Sequence, residues 1–255
     1  MFRMRKVFMR LFLLLLACLL AAASSCVAED YSPKEDFLTV GNVVTFGHYE
    51  QDADESNGAE PIEWIVLDVQ DGKALLLSKY CLDAKPYNME GADVTWETCT
   101  LRAWLNGDFL DAAFTGKEQA AILLTDVDNS KTQGYSGWDT DGGNNTQDKI
   151  FLLSWAEAEK YLETTRWDRE NPHIVYPEAQ TGATAYAVWQ GAWPEEDHIT
   201  PEGDAACWWW LRSPGEMQHL AARVAYGGAL NFDYVDFEIG GVRPACWLDL
   251  ESDIF

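Results

Sequence analysis

Oxygen-bearing side chains are densest in "DTDGGNNTQD", residues 139–148 of the 255-residue chain. Asp139 and Asp141 alternate, a Gly-Gly turn follows, and then come Asn144 and Asp148. A loop of this kind can wrap calcium, which takes about six to eight oxygen ligands. It is not an EF-hand, because no glutamate closes it and no helix pair flanks it. The competing reading is an Asx/Gly turn whose side chains cap their own backbone. Asp126, Asp128 and Asn129 in "TDVDN" form a second oxygen cluster, which either joins that site or lies on the surface. Trp138 in "YSGWDTDGG", and Trp189 and Trp193 in "VWQGAWPEED", stand in polar loops. Exposed indoles stack on sugar faces or anchor protein partners, so these three are the expected ligand contacts. The alternative is that each indole pins its own loop onto the body.

Other chemistries are harder to place. His48, His173, His198 and His219 are scattered, with no HExxH pair, which argues against a transition-metal site. "GYSGW" lacks the GxSxG form of a nucleophile elbow. With 42 acidic residues, a pair such as Glu195-Glu196 is uninformative. Cys81, Cys99, Cys207 and Cys246 show no CxxC spacing. They are either one or two structural disulfides, which the even count in an exported chain permits, or buried thiols. If the terminal strands adjoin, Cys81 pairs with Cys246 and Cys99 with Cys207.

Export is expected from the first residues. "MFRMRKVFMR" is basic, and the run "LFLLLLACLLAAA" ends in small residues, as in a secretory signal over 1–28. It is too short and wrongly flanked for a permanent span, so no transmembrane segment is expected after cleavage. The alternative is a lipoprotein anchored at Cys18 or Cys26. The chain carries a net charge of −24, and losing Arg3, Arg5, Lys6 and Arg10 makes it more acidic still. Such a surface repels nucleic acid and anionic membranes, and attracts cations or basic partners.

These residues need a scaffold. After an acidic leader at 29–40, "VVTFG", "IEWIVLDV" and "KALLLSK" read as a β-meander with Asp71-Gly72 as a tight turn. Leu101, Trp104, Leu105, Phe109 and Ala112 recur at helical spacing, with Thr98 or Thr100 as the N-cap. "SWAE" opens a second helix with a capping box, placing Trp155, Ala158 and Leu162 on one face. "KIFLLS" echoes "KALLLS" and reads as a similar strand exit. Two irregular stretches, 125–148 and 164–206, are long enough to be functional. The chain returns to strands in "CWWWLRS", "AARVAYGGALN", "FDYVDFE" and "GVRPACWLDL", with Gly227-Gly228 as a hairpin turn. Alternation on a strand puts Trp208 and Trp210 on one face and Trp209 on the other. The first and last of these four are expected as neighbouring strands of the central sheet. The whole of 41–255 is expected to be one α+β domain with a mostly antiparallel sheet, two main helices and long loops, its terminal strands in one sheet.

The motifs "TFGHYEQD", "EPIEWIVLDV", "LLLSKY", "TLRAWLNGDFL", "DKIFLLS", "WWLRSPG" and "GVRPACWLDL" resemble the bacterial family called domain of unknown function 6273. That family carries no established reaction. The closing strands, from "WWLRSPG" to "GVRPA", are also similar to C-type-lectin-like folds, including formylglycine-generating enzymes. This second resemblance implies a single C-type-lectin-like domain. The cysteine chemistry of those enzymes does not map onto the four cysteines here. The expected function is therefore a secreted or cell-surface module that binds a glycan or protein through its long loops, with calcium as its candidate cofactor. The alternative is a hydrolase-type enzyme using loop carboxylates.

Overall fold

A computed structural model describes residues 32–255. The expected signal peptide, with Cys18 and Cys26, lies outside the described residues. The fold is α+β with mostly antiparallel sheets, and no described helix is long and apolar enough to cross a membrane.

The chain opens with β1 (Val43–Tyr49), β2 (Glu60–Gln70) and β3 (Lys73–Ser78), the expected meander. Asp71 and Gly72 both take positive φ, 50° and 73°, as a tight two-residue turn needs. Trp64 is buried on β2 and donates its indole N–H to the Phe46 carbonyl at 2.7 Å. The described part of the expected leader belongs to the domain. Lys34–Leu38 is a 3-10 turn that buries Phe37 and sets its ring 5.1 Å from that of Phe255.

After β4 (Asp83–Ala84), the main helix begins as α1 (Thr100–Trp104). Its N-cap is Cys99, whose sulfur accepts the Arg102 N–H at 3.4 Å, and not Thr98 or Thr100. A π-turn, Leu105–Phe109, then leads into α2 (Leu110–Ala113). A π-turn inserts an extra residue and rotates the next helical turn about the axis. Ala113 is consequently buried, and Ala112, expected on the apolar face, is exposed. Leu101, Leu105 and Phe109 are buried as expected. Trp104 is only half-buried, beneath the Lys85 ammonium at 4.5 Å.

Beyond α3 (Gly116–Ala121) come β5 (Thr125–Val127) and β6 (Thr146–Asp148), which pair at the base of the first long loop. The run "KIFLLS" makes only one bridge, Phe151 with Ala245, and then enters α4 (Trp155–Tyr161). The Ser154–Glu157 capping box of α4 is present as expected. A second box, Thr115 with Glu118, opens α3. The second long loop holds α5 (Ala185–Gln190) and the ribbon of β7 (Pro194–Ile199) with β8 (Ala205–Cys207).

The tryptophan run forms β9 (Trp209–Pro214), followed by β10 (Leu220–Val224), β11 (Leu230–Tyr234), β12 (Gly241–Val242) and β13 (Ala245–Asp249). One sheet has the order β1-β2-β3-β13, so strands from both ends of the domain share it. The other has the order β11-β10-β9-β12-β4. "GVRPACWLDL" is therefore not one strand. Gly241 pairs with Trp209, but the chain leaves that sheet at Arg243-Pro244 and continues beside β3 in the other. A proline at that point cannot donate to a ladder, which suits a change of sheet. All three tryptophans of the run are buried. Trp208 and Trp210 meet edge to face at 4.8 Å, and the Arg223 guanidinium lies 4.8 Å over Trp208. Trp209 sits under the Arg243 guanidinium at 4.9 Å and donates its indole N–H to Ala179 O at 3.2 Å.

Candidate functional site

The two long loops differ in how they use their tryptophans. In the first, Trp138 is half-buried in an aromatic nest, with ring centres 5.1 Å from Tyr135, 5.2 Å from Trp155 and 5.3 Å from Phe232. These contacts pin the loop onto the body. In the second loop, Trp189 is 69% and Trp193 60% exposed.

That exposure is built, not accidental. Thr184 caps α5 by accepting the Ala187 N–H at 3.0 Å, and Gly191 ends it in the left-handed region at φ 119°. Ala187 and Ala192 face inward, leaving Val188, Trp189 and Trp193 outside. Tyr186 anchors the patch. Its ring is 5.7 Å from Trp189 and 5.7 Å from Tyr49, and its hydroxyl accepts from Gln190 at 2.6 Å. Tyr49 in turn donates to the buried Asp83 carboxylate at 2.7 Å. Burial, first of all, pushes the Asp83 pKa up, against the pull of Tyr49 and Lys85.

The ribbon that follows Trp193 also walls a cleft of about 290 Å³, lined by Trp167, His173, Asp197, His198 and Tyr226 among others. The 164–176 segment closes it. Trp167 N–H donates to Leu230 O, and Tyr176 N–H to Gly227 O, both at 2.8 Å. Gly228, at φ 84°, is required there, since a Cβ would stand 2.2 Å from Tyr176 O. His198 lies 5.9 Å from the Tyr226 ring, and its buried Nδ1 has no hydrogen-bond partner.

The oxygen-rich loop does not converge on one point. Asp139 pairs with Lys131, and Asp141 accepts the Gly143 N–H at 3.1 Å. The Asn144 amide donates to Glu97 at 2.9 Å. Asp148 is fully buried, its oxygens taken by Arg102 at 2.6 Å, Thr146 at 2.7 Å and Trp96 at 2.9 Å. Asp126 meets Gln147, Asp128 caps Ser130, and Asn129 donates to Asn144 O. The loop's polar groups hold the loop. A tighter carboxylate group, Glu50, Asp52 and Glu60 within 4.8 Å of one another, escaped the sequence reading, because Glu60 meets the others only once β1 and β2 pair.

The four cysteines are buried, unbridged thiols. The strands bring Cys81 to Cys207, and neither to its expected partner. A Cβ on Gly241 would stand 2.6 Å from the Cys81 sulfur and 3.2 Å from that of Cys207. Burial raises the Cys81 pKa, with the neighbouring Cys207 thiol adding to it. Cys246 has left with β13 for the other sheet, where burial alone raises its thiol. Cys99 serves its helix cap and donates to Trp96 O at 3.5 Å.

Residues 71–250 match the family described as Domain of unknown function (DUF6273). The chain belongs to that family. No curated protein and no solved structure matches the chain. The family match runs from the turn after β2 to just past β13, and so takes in both long loops, all of the β11-β10-β9-β12-β4 sheet, and β3 and β13 of the other sheet.

Proposed function

We propose that this member of the DUF6273 family is an exported, lectin-like binding module that recognises a glycan or protein ligand through the loop surface at 164–206. The observation that carries this reading is the pair of outward indoles, Trp189 and Trp193, in a chain that buries Trp64, Trp96, Trp155, Trp208, Trp209 and Trp210. Packing needs neither exposed indole, and both flank a capped turn that fixes their direction. Flat aromatic faces of this kind suit the apolar face of a sugar or a protein hot spot. A hydrolase draws less support. The carboxylates with raised pKa, Asp83 and Glu50, do not line the histidine cleft, and Glu50 meets its neighbours Asp52 and Glu60 away from that cleft.

The test is a glycan and protein binding screen of the domain, followed by Trp189→Ala with Trp193→Ala. Binding should fall by about tenfold or more, as removal of hot-spot aromatics does. The denaturation midpoint should barely move, because exposed substitutions usually change stability by less than about 0.5 kcal/mol. A ligand held equally well by the double variant would refute the proposed surface.

A further inference from the structure

We propose that the cavity floored by Arg243 is a binding site for a small carboxylate, separate from the tryptophan surface. The cavity measures about 140 Å³ and is lined by Lys79, Tyr80, Glu178, Thr181, Glu202 and Arg243 among others. Arg243 is 1% exposed. Its Nε donates to Ser78 O at 2.8 Å and its Nη2 to Lys79 O at 3.4 Å, while the buried Nη1 has no partner.

The contrast with the other inward-facing arginines gives this its weight. Arg102 pairs with Asp148, Arg212 with Glu157 and Arg223 with Asp233. Arg243, as buried as any of them, makes no ion pair among the described residues, in a chain with 42 acidic side chains; Glu202 on the cavity wall supports its charge only through space, without direct contact. A buried charge without a counter-ion is costly. Burial pulls its pKa down to about 10, still far enough above neutrality to keep the cation charged. The Trp209 ring beneath and the two backbone carbonyls fix the plane of the guanidinium, leaving N–H groups free for an oxygen acceptor.

The surroundings narrow the ligand. A guanidinium fork matches the planar, singly charged carboxylate. Glu178 and Glu202, both exposed, put negative charge at the cavity walls and disfavour a dianion such as phosphate. The same two glutamates favour a carboxylate that carries a cationic group outward, as free amino acids and short peptides do. Lys79, the other cation of the lining, is already held by Glu63 at 3.0 Å.

Calorimetric titration of the whole chain at low ionic strength with acetate, glycine, glycinamide and inorganic phosphate tests the site. Acetate and glycine should bind saturably, glycine more tightly, while glycinamide and phosphate should not. Arg243→Lys should weaken glycine by about tenfold, because a point charge cannot replace the fork. Should that variant fail to fold, Glu202→Gln on the exposed wall decides. It should tighten acetate and reduce the advantage of glycine. No saturable acetate or glycine binding, glycinamide binding as well as glycine, or an unchanged acetate-to-glycine ratio in Glu202→Gln would each overturn the assignment.

Discussion

Asp83 shows how one buried carboxylate couples the exposed surface to the body. It holds Tyr49, whose ring abuts Tyr186 under Trp189. Its folded pKa lies above the ordinary carboxylate value, chiefly through burial. A raised folded pKa means the contribution to stability is fully present below about pH 4 and is lost as pH rises through the folded value. Asp83→Asn keeps an acceptor for the Ala84 N–H, which Oδ1 now takes at 2.7 Å, and removes the titration. The variant should gain stability relative to the parent as pH rises from about 4 to 7. Parallel stability curves for the two proteins across that range would contradict this coupling. At the same scale, the sequence allowed Asp148 to be read as a ligand. Nothing local distinguishes it from Asp139. Its fate is set by Arg102 and Trp96, brought from about forty-five and fifty residues away by the fold.

Legibility at the scale of elements followed the range of the interaction. The Asp71-Gly72 turn and the Ser154–Glu157 box are made by residues in sequence contact, and both could be read directly. The π-turn inside the main helix could not. Asn106 within it binds Ile150 O and the Lys149 N–H, both at 2.8 Å, contacts made only in the folded chain, and a 3.6-residue period carried straight through Leu105–Phe109 misplaces Ala112. The cost of truncation should follow the observed face. Leu105→Ala should lose about 2–5 kcal/mol as a core cavity. Trp104→Ala, half-exposed beneath Lys85, should lose clearly less than the 3–5 kcal/mol or so of a fully buried aromatic. Chemical denaturation of the two variants side by side checks the order, and a larger loss at Trp104 would count against it.

For the molecule as a whole, the α+β class with mostly antiparallel sheets, the opening meander and the buried tryptophan strand were legible, because alternation and apolar density are properties of the strands themselves. The split of "GVRPACWLDL" between two sheets was not, and the expected cysteine pairs failed with it. Cys246 went with the half beyond Pro244, while Cys81 and Cys207 met over Gly241.

The contact between Phe37 and Phe255 also bears on how this domain can be joined to others. Because the turn at Lys34–Leu38 touches Phe255, the two ends of the described domain lie close together. The domain can therefore be spliced into a host chain through a single surface loop. Equally, its ends can be tied and the chain reopened elsewhere. Joining Phe255 to Ser32 through a flexible linker of about eight residues, and cutting the exposed polar 52–58 loop between β1 and β2, should give a circular permutant that folds. Near-ultraviolet circular dichroism matching that of the parent would show that the buried tryptophans have re-formed their packing, and a spectrum without that signal would mean the two ends are not neighbours.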